Sequence, residues 1–301
     1  MTTSCIVNNY NYCRFVIEAV ESALAQTDPF DEIIVVDDGS TDESVGLLQW
    51  RYQLHPKVRV IAKANQGQLS CFNIGFAAAS GDLVFFLDSD DLYEKEYVAK
   101  AKRYYQENAC CDFLFCAMRK FGEQSGLLAP YPASRILGYS AFTARYLRKW
   151  IGAPTSAISM RRTALERILP LPESFYLDWK TRADDCLVYG ASMTGCCKCY
   201  LGEALVGYRI HGENGYDGKS FSNYGYRLRM NMALGNLNNH FWACFTQTNA
   251  CHLIGLEFDS IQRPALRDLI MYASAVRHIP ASITSKLRLN FSLMGSYLKS
   301  R

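Results

Sequence analysis

Three carboxylates fall within four positions at Asp88-Ser89-Asp90-Asp91, directly behind the apolar run Leu83-Val84-Phe85-Phe86-Leu87. Adjacent carboxylates repel and raise one another's pKa unless a cation lies among them, so the pattern suggests a site for a divalent ion. Mg²⁺ and Mn²⁺ favour hard oxygen ligands and are commonly held by one or two carboxylates together with substrate phosphates. A phosphate-bearing substrate is the natural companion of such an ion. The competing assignment is a helix cap, with Asp90 or Asp91 closing the start of a helix near Leu92. Asp37-Asp38-Gly39-Ser40 taken singly reads as a turn, but repeated at several strand ends such groups make a polar wall suited to a nucleotide, with Asp38 able to accept from a base or ribose donor.

The elements that must position these residues alternate. Residues 3 to 8 form an apolar strand, and Phe15, Ile17, Ala19, Val20 and Leu24 recur at helical spacing after the polar break Asn8-Asn9-Tyr10-Asn11-Tyr12. Strand Glu32 to Val36, helix Ser44 to Leu54, strand Val58 to Ala62, helix Gln66 to Ala79 and strand Asp82 to Leu87 come next, then a helix from Glu94 to Glu107. Such alternation predicts a mainly parallel sheet covered by helices on both faces. Ligands bind outside the carboxyl ends of such strands, so the polar segments 8–12, 37–42 and 88–91 should converge on one crevice. Beyond residue 110 the alternation stops. A strand at Phe113 to Met118, a Gly- and Pro-bearing loop from Phe121 to Ser134, helices at Tyr139 to Trp150 and Arg161 to Ile168, a strand at Ala153 to Met160, a helix at Cys186 to Met193 and a strand at Ala204 to Arg209 are expected. From about Ser220 the chain reads as helical, basic and aromatic, with Trp242, Phe245 and Phe291. The division is therefore 1–110, 111–219 and a helical region 220–301.

The 301 residues are 49% hydrophobic and 20% charged, enough for a large core and too apolar for disorder. A net charge of +3 without a run of like charges gives no sign of a nucleic-acid partner. Neither a leader pattern nor an 18-residue apolar span is present, so a cytoplasmic protein is expected, and its twelve cysteines read as reduced thiols rather than a disulfide framework or a zinc site.

Taken together these segments resemble a family 2 glycosyltransferase of the GT-A fold. The likeness rests on Asn8-Asn9-Tyr10-Asn11, Gln26-Thr27, Val35 to Asp42, Asn65-Gln66-Gly67 with Asn73 and Gly75, Gly81-Asp82 leading to Asp88-Ser89-Asp90-Asp91, and Tyr208-Arg209-Ile210-His211-Gly212-Glu213-Asn214, which span residues 4 to 214. The resemblance implies donor contacts from Asn8, Tyr10, Asn11, Asp38, Gly67, Asn73, Asp88 and Ser89, with Asp38 on the nucleotide base. It implies that Asp88 and Asp90 form the Asp-x-Asp element for ribose and metal, that Asp91 is an alternative ligand, and that His211 is a third metal contact; a loop histidine bonded to backbone is the other reading. Asp185 aligns with the base that takes the acceptor hydroxyl's proton in an inverting displacement, and Asp184 is its neighbour. Two adjacent carboxylates can shift one pKa towards neutrality, which suits that task, although the same pair would also serve as cap and first-turn acid of a helix.

By this resemblance the chain is expected to be a metal-dependent transferase moving a sugar from a nucleotide-diphosphate sugar, a UDP-sugar foremost, to a hydroxyl of a carbohydrate or lipid-linked acceptor. A lipid-linked acceptor would bring the chain to the cytosolic face of a membrane as a peripheral protein; a solvated face over a hydrophobic core is the plainer account of the basic C-terminal helices. One departure stands out, since Cys71-Phe72-Asn73 replaces Ala-Arg-Asn of many relatives and removes a cation that could touch the diphosphate. Lys63, Arg119 or Arg209 are the substitutes. A dinucleotide-binding oxidoreductase is disfavoured because residues 8–12 contain no glycine. A nucleotidyltransferase or a non-catalytic nucleotide-sugar binder remain the rivals.

Overall fold

The computed structural model describes residues 1–212, 214, 223–242, 250–279 and 281–300. The first half is built as its periodicity requires: β1 (Thr3–Asn9), α1 (Val16–Leu24), β2 (Glu32–Asp37), α2 (Ser44–Tyr52), β3 (Val58–Ala62), α3 (Gln68–Ala78) and β4 (Leu83–Asp88). β1 pairs in parallel with both β2 and β4, and β2 with β3. Cys5, Ile6 and Val7 of β1 and Leu83 to Leu87 of β4 are fully buried, which is why these strands read as unbroken apolar runs. α1 buries Val16, Ala19, Val20 and Ala23, the one-sided stripe of an amphipathic helix.

After β4 the chain forms β5 (Leu92–Tyr93), α4 (Tyr97–Glu107), β6 (Phe113–Gly122), β7 (Gly126–Leu128), β8 (Arg135–Gly138), α5 (Ala141–Leu147), β9 (Ile158–Arg161), α6 (Arg162–Leu165), α7 (Asp184–Met193) and β10 (Lys198–Ile210). The sheet runs β3-β2-β1-β4-β9-β6-β10-β5, with β7 on β6 and β8 on β10. β9 is antiparallel to β4 and β6, while β10 is parallel to β6. β6 and β10 therefore point the same way as β1 to β4, and the ends of β1, β2, β4 and β10 share one rim.

Four sequence expectations change, one of them the loop expected over Phe121 to Ser134, where β6 runs on to Gly122 and Gly126–Leu128 turn back on it as β7. The helix that Asp90 or Asp91 would cap does not exist: Leu92 and Tyr93 form β5, paired with Gly207 and Val206 of β10, and the next helix starts at Tyr97. The strand expected from Ala153 begins only at Ile158, because Pro154 has no N–H for a ladder and Thr155–Ala157 close a 3-10 turn instead. β10 starts six residues earlier than expected. Lys198 at its head is polar by type yet fully buried, its ammonium donating to the Ile151 and Val188 carbonyls and lying 5.0 Å from the Phe113 ring centre.

One apolar core extends from Cys5 to Phe241, the latter on α8 (Tyr224–Trp242). A second gathers Phe142 of α5 with residues of α9 (Ala250–Asp259), α10 (Leu266–Ala275) and α11 (Ile283–Lys299). Phe245 lies outside the described residues, among which no helix is long and apolar enough to cross a membrane.

Candidate functional site

The strand ends open into a cleft of about 1190 Å³ lined by residues of β1, β4, β6, β10, α3 and α7, by Asp38 just after β2, and by the loops around 65, 150 and 180. Parallel register builds its floor: Asn8 stands opposite Asp88 and Asn9 opposite Asp37, so the Asn8 amide donates to the Asp88 carboxylate at 2.7 Å and the Asn9 amide to Asp37 at 2.7 Å. Asn11, in the left-handed region at φ 58, accepts from the Thr41 N–H at 2.7 Å and fixes the 37–42 turn against the first loop. Beside it Tyr10 lines the cleft with 46% of its surface exposed, a free ring face.

Asp38 lines the cleft too, but its carboxylate already binds the Lys63 ammonium and accepts from the N–H groups of Gln66 (2.9 Å) and Gly67 (2.7 Å). A carboxylate has about four lone-pair sites, so one remains for a ligand. Gly67 is needed where it stands: at φ +94, a Cβ would lie 2.4 Å from Lys180 Cα.

Oxygen atoms of Asp88, Asp90 and Asp91 lie within 4.8 Å of one another. Burial first, and the Asp90 charge second, push Asp88 up to about 7, and the same two causes raise Asp91. Asp91 accepts from the Ser156 hydroxyl (2.6 Å) and the Arg209 N–H (2.9 Å), and Asp90 receives Asn214 Nδ2 at 3.3 Å and faces His211 Nε2 at 3.1 Å. His211 packs between Tyr12 and Phe15. It reaches the acidic group through Asp90, and Asn214 orients that carboxylate with it. Glu213 of the same motif lies outside the described residues. The Ser89 hydroxyl is buried with no hydrogen-bond partner among the described residues. Hard oxygen donors, crowded carboxylates of which burial raises Asp88 and Asp91, and an orphaned hydroxyl are what a divalent cation with a phosphorylated ligand would satisfy.

Asp184 and Asp185 open α7, whose first-turn N–H groups favour carboxylates there. Both line the cleft. Asp185 is buried and paired with Arg182 at 2.8 Å; burial raises its pKa and Arg182 opposes the rise. Burial, then Asp185, then Asp88 raise Asp184. Asn73, expected at the donor, is not among the lining residues. Its amide donates to Leu171 O (2.7 Å) and the Tyr176 hydroxyl (2.9 Å), tying α3 to the segment before α7.

The family model described as "Glycosyl transferase family 2" matches residues 4–169. An uncharacterised glycosyltransferase of Nostoc sp. is 35% identical over 222 residues, covering 72% of this chain and 67% of that protein. The chain belongs to glycosyl transferase family 2. Chondroitin synthase of Escherichia coli is 32% identical over 120 residues, 40% of this chain but 18% of that enzyme. Among solved structures, TarS of S. aureus superposes with a TM-score of 0.60 at 18% identity, over 99% of this chain and 54% of TarS. A mannosyltransferase of Pyrobaculum calidifontis, solved with GDP-Man and Mn²⁺, reaches 0.52 at 16% identity, over 99% and 86%. These structures place the glycosyltransferase in the GT-A-like α/β fold, as its sequence led one to expect.

Sequence reasoning passed over several residues of this transferase's site. Gln68 donates to Asp88 (2.9 Å) and accepts from the Ala183 N–H (2.9 Å); its signal was its place after Asn65-Gln66-Gly67. Asn214 closed a motif already quoted but was assigned no role. The three cations offered for the missing arginine are committed elsewhere or absent from the lining: Lys63 holds Asp38, Arg209 binds Glu18 and the Asp90 carbonyl between the Phe15 and Phe121 rings, and Arg119 is exposed outside the cleft. Lys180 and Arg182 are the lysine and arginine that line it.

Proposed function

We propose that this glycosyltransferase moves a sugar from a nucleotide-diphosphate sugar, a UDP-sugar foremost, to a hydroxyl of a carbohydrate or lipid-linked acceptor, with inversion at the anomeric carbon. The observation that carries the reading is that Asp88 and Asp90 of the acidic cluster and the Asp184-Asp185 helix start line one cleft. Residues 1–110 supply the donor side: Tyr10 offers a ring to the base, Asp38 its remaining lone pair, Asn8 and Gln68 hold Asp88 towards the ribose, and the Ser89 hydroxyl awaits a polar partner. Asp88 and Asp90, with Asp91 behind them, would hold Mn²⁺ or Mg²⁺, and His211 acts on that group by fixing Asp90. The chemistry such a cation supplies when bound is neutralisation of charge on the departing diphosphate. Lys180, exposed at the cleft wall, adds positive charge where the Ala-Arg-Asn arginine is missing.

Residues 111–219 supply the acceptor side. Asp185 takes the proton of the acceptor hydroxyl as its oxygen attacks; burial disfavours the charged carboxylate and so strengthens it as a base, while Arg182 favours the ionised form and opposes that rise. Support for the donor class comes from neighbours of the same fold: TarS has been solved with UDP and with UDP-GlcNAc, and the Pyrobaculum enzyme with GDP-Man and Mn²⁺. The test is Asp185→Asn. Transfer should fall by roughly 10²- to 10⁴-fold while nucleotide binding, read by thermal shift, is retained. Near wild-type turnover of Asp185→Asn together with loss in Asp184→Asn would move the base to Asp184.

A further inference from the structure

α11 presents an apolar face that the core does not use. Leu293 and Tyr297 are its buried residues, whereas Ile283, Leu287, Phe291, Met294 and Leu298 are 47–78% exposed. At about 100° per residue these five fall within roughly 80° of the helix circumference, one continuous stripe over four turns. The neighbouring α10 exposes Leu266 and Ile270 one turn apart.

The charge of the chain segment that carries the stripe is of one sign. No Asp or Glu occurs from Leu269 to Arg301, while Arg277, Lys286, Arg288, Lys299 and Arg301 do. With a chain total of +3, those five cations leave the remaining residues at −2, so the protein's positive charge is concentrated where its apolar stripe is. Lys286 and Arg288 flank the stripe at about 100° on either side of its centre, the position from which long cationic side chains reach a polar surface while apolar ones insert.

We propose that α11 docks the transferase on an anionic phospholipid bilayer, lying in the plane of the surface with Ile283, Leu287, Phe291, Met294 and Leu298 at the boundary between headgroups and acyl chains. A second copy of the same helix is the poorer occupant. It would bring two cationic flanks together with no carboxylate on either helix to meet them, whereas an anionic surface attracts each Lys or Arg by itself. The inference stands apart from the sugar chemistry, and its test needs no turnover.

The full chain is floated with phosphatidylcholine vesicles with and without phosphatidylglycerol. Wild type should rise with the phosphatidylglycerol vesicles and be released by added salt. Leu287→Ser with Phe291→Ser, both exposed in the folded protein, should lower partitioning at least roughly tenfold, and Arg288→Gln with Lys299→Gln on the order of 30-fold. An unchanged thermal midpoint and unchanged nucleotide-induced shift show that the variants are folded with the donor cleft intact. Failure of the wild type to float with phosphatidylglycerol vesicles overturns the proposal. So does equal flotation of the Leu287→Ser, Phe291→Ser variant, or its conversion of a sedimenting dimer into a monomer.

Discussion

Asp90 is the residue on which the two chain segments of the acidic site meet: it comes just after β4, and its carboxylate is gripped by His211 and Asn214 beyond β10. Carboxylates crowded after an apolar run were legible in the sequence because their repulsion calls for a cation whatever the fold. Gln68 and Asn214 were not, since an amide in a sequence looks the same whether it is solvated or ties a carboxylate to a distant backbone group. Removing an outer-shell partner of a metal ligand typically costs 10- to 100-fold in affinity, so loss of Asp90 itself should cost at least as much. Asp90→Ala is expected to weaken Mn²⁺-dependent UDP binding by more than roughly tenfold, measured by calorimetry with and without chelator. Wild-type binding that ignores the chelator would remove the metal from the site.

At the scale of elements, α3 and α7 are joined by one side chain. Gln68 begins α3, and its amide links Asp88 at the end of β4 to the N–H of Ala183, the residue before Asp184. The donor carboxylate and the proposed base are thereby held at a fixed separation, and a displacement near 1 Å can cost on the order of 100-fold in rate. Gln68→Leu keeps the volume and cuts both hydrogen bonds. It should weaken nucleotide binding by roughly tenfold through Asp88 and in addition reduce kcat at saturating donor by roughly 10- to 100-fold; a loss confined to nucleotide affinity would show that Gln68 serves the donor alone. The strands and helices of residues 3–107 other than β5 were readable from their apolar runs and periods. β9 was readable only in part, as the end of a strand expected over Ala153 to Met160, because the 3-10 turn at Thr155–Ala157 that delays its start leaves no mark in the apolar pattern.

The described residues of the whole molecule hold two cores, and Glu257 of α9 is a buried polar tie within the second. Its buried carboxylate accepts from the Phe142 and Thr143 N–H groups at the start of α5 and from the Tyr272 hydroxyl of α10. Burial outweighs these bonds and pushes Glu257 up to about 7 from an ordinary 4.5. Between those values the folded state binds the extra proton, so this group's contribution to stability is fullest below about pH 4.5 and declines as pH rises towards 7. The penalty at neutrality is about 3 kcal/mol at most. Glu257→Gln should therefore flatten the fall in denaturant-measured stability between pH 5 and pH 7.5; a slope identical to wild type would assign the titration to other groups.

Local order settled much of this protein. Apolar periods, turn residues and clustered carboxylates act through near neighbours in the chain, and they announced the parallel α/β half, its rim of polar strand ends and the family resemblance that the relatives then established. Tertiary structure decided what depends on distant partners. It turned a supposed helix cap into the start of β5, gave Asn73 to Leu171 and Tyr176, committed Lys63 to Asp38, and brought Lys180 and Arg182 to the cleft. It also separated the buried side of α11 from the exposed one. A side chain's type sets what it can bind, but which partner lies within about 3 Å is fixed by register and packing between segments far apart in the chain.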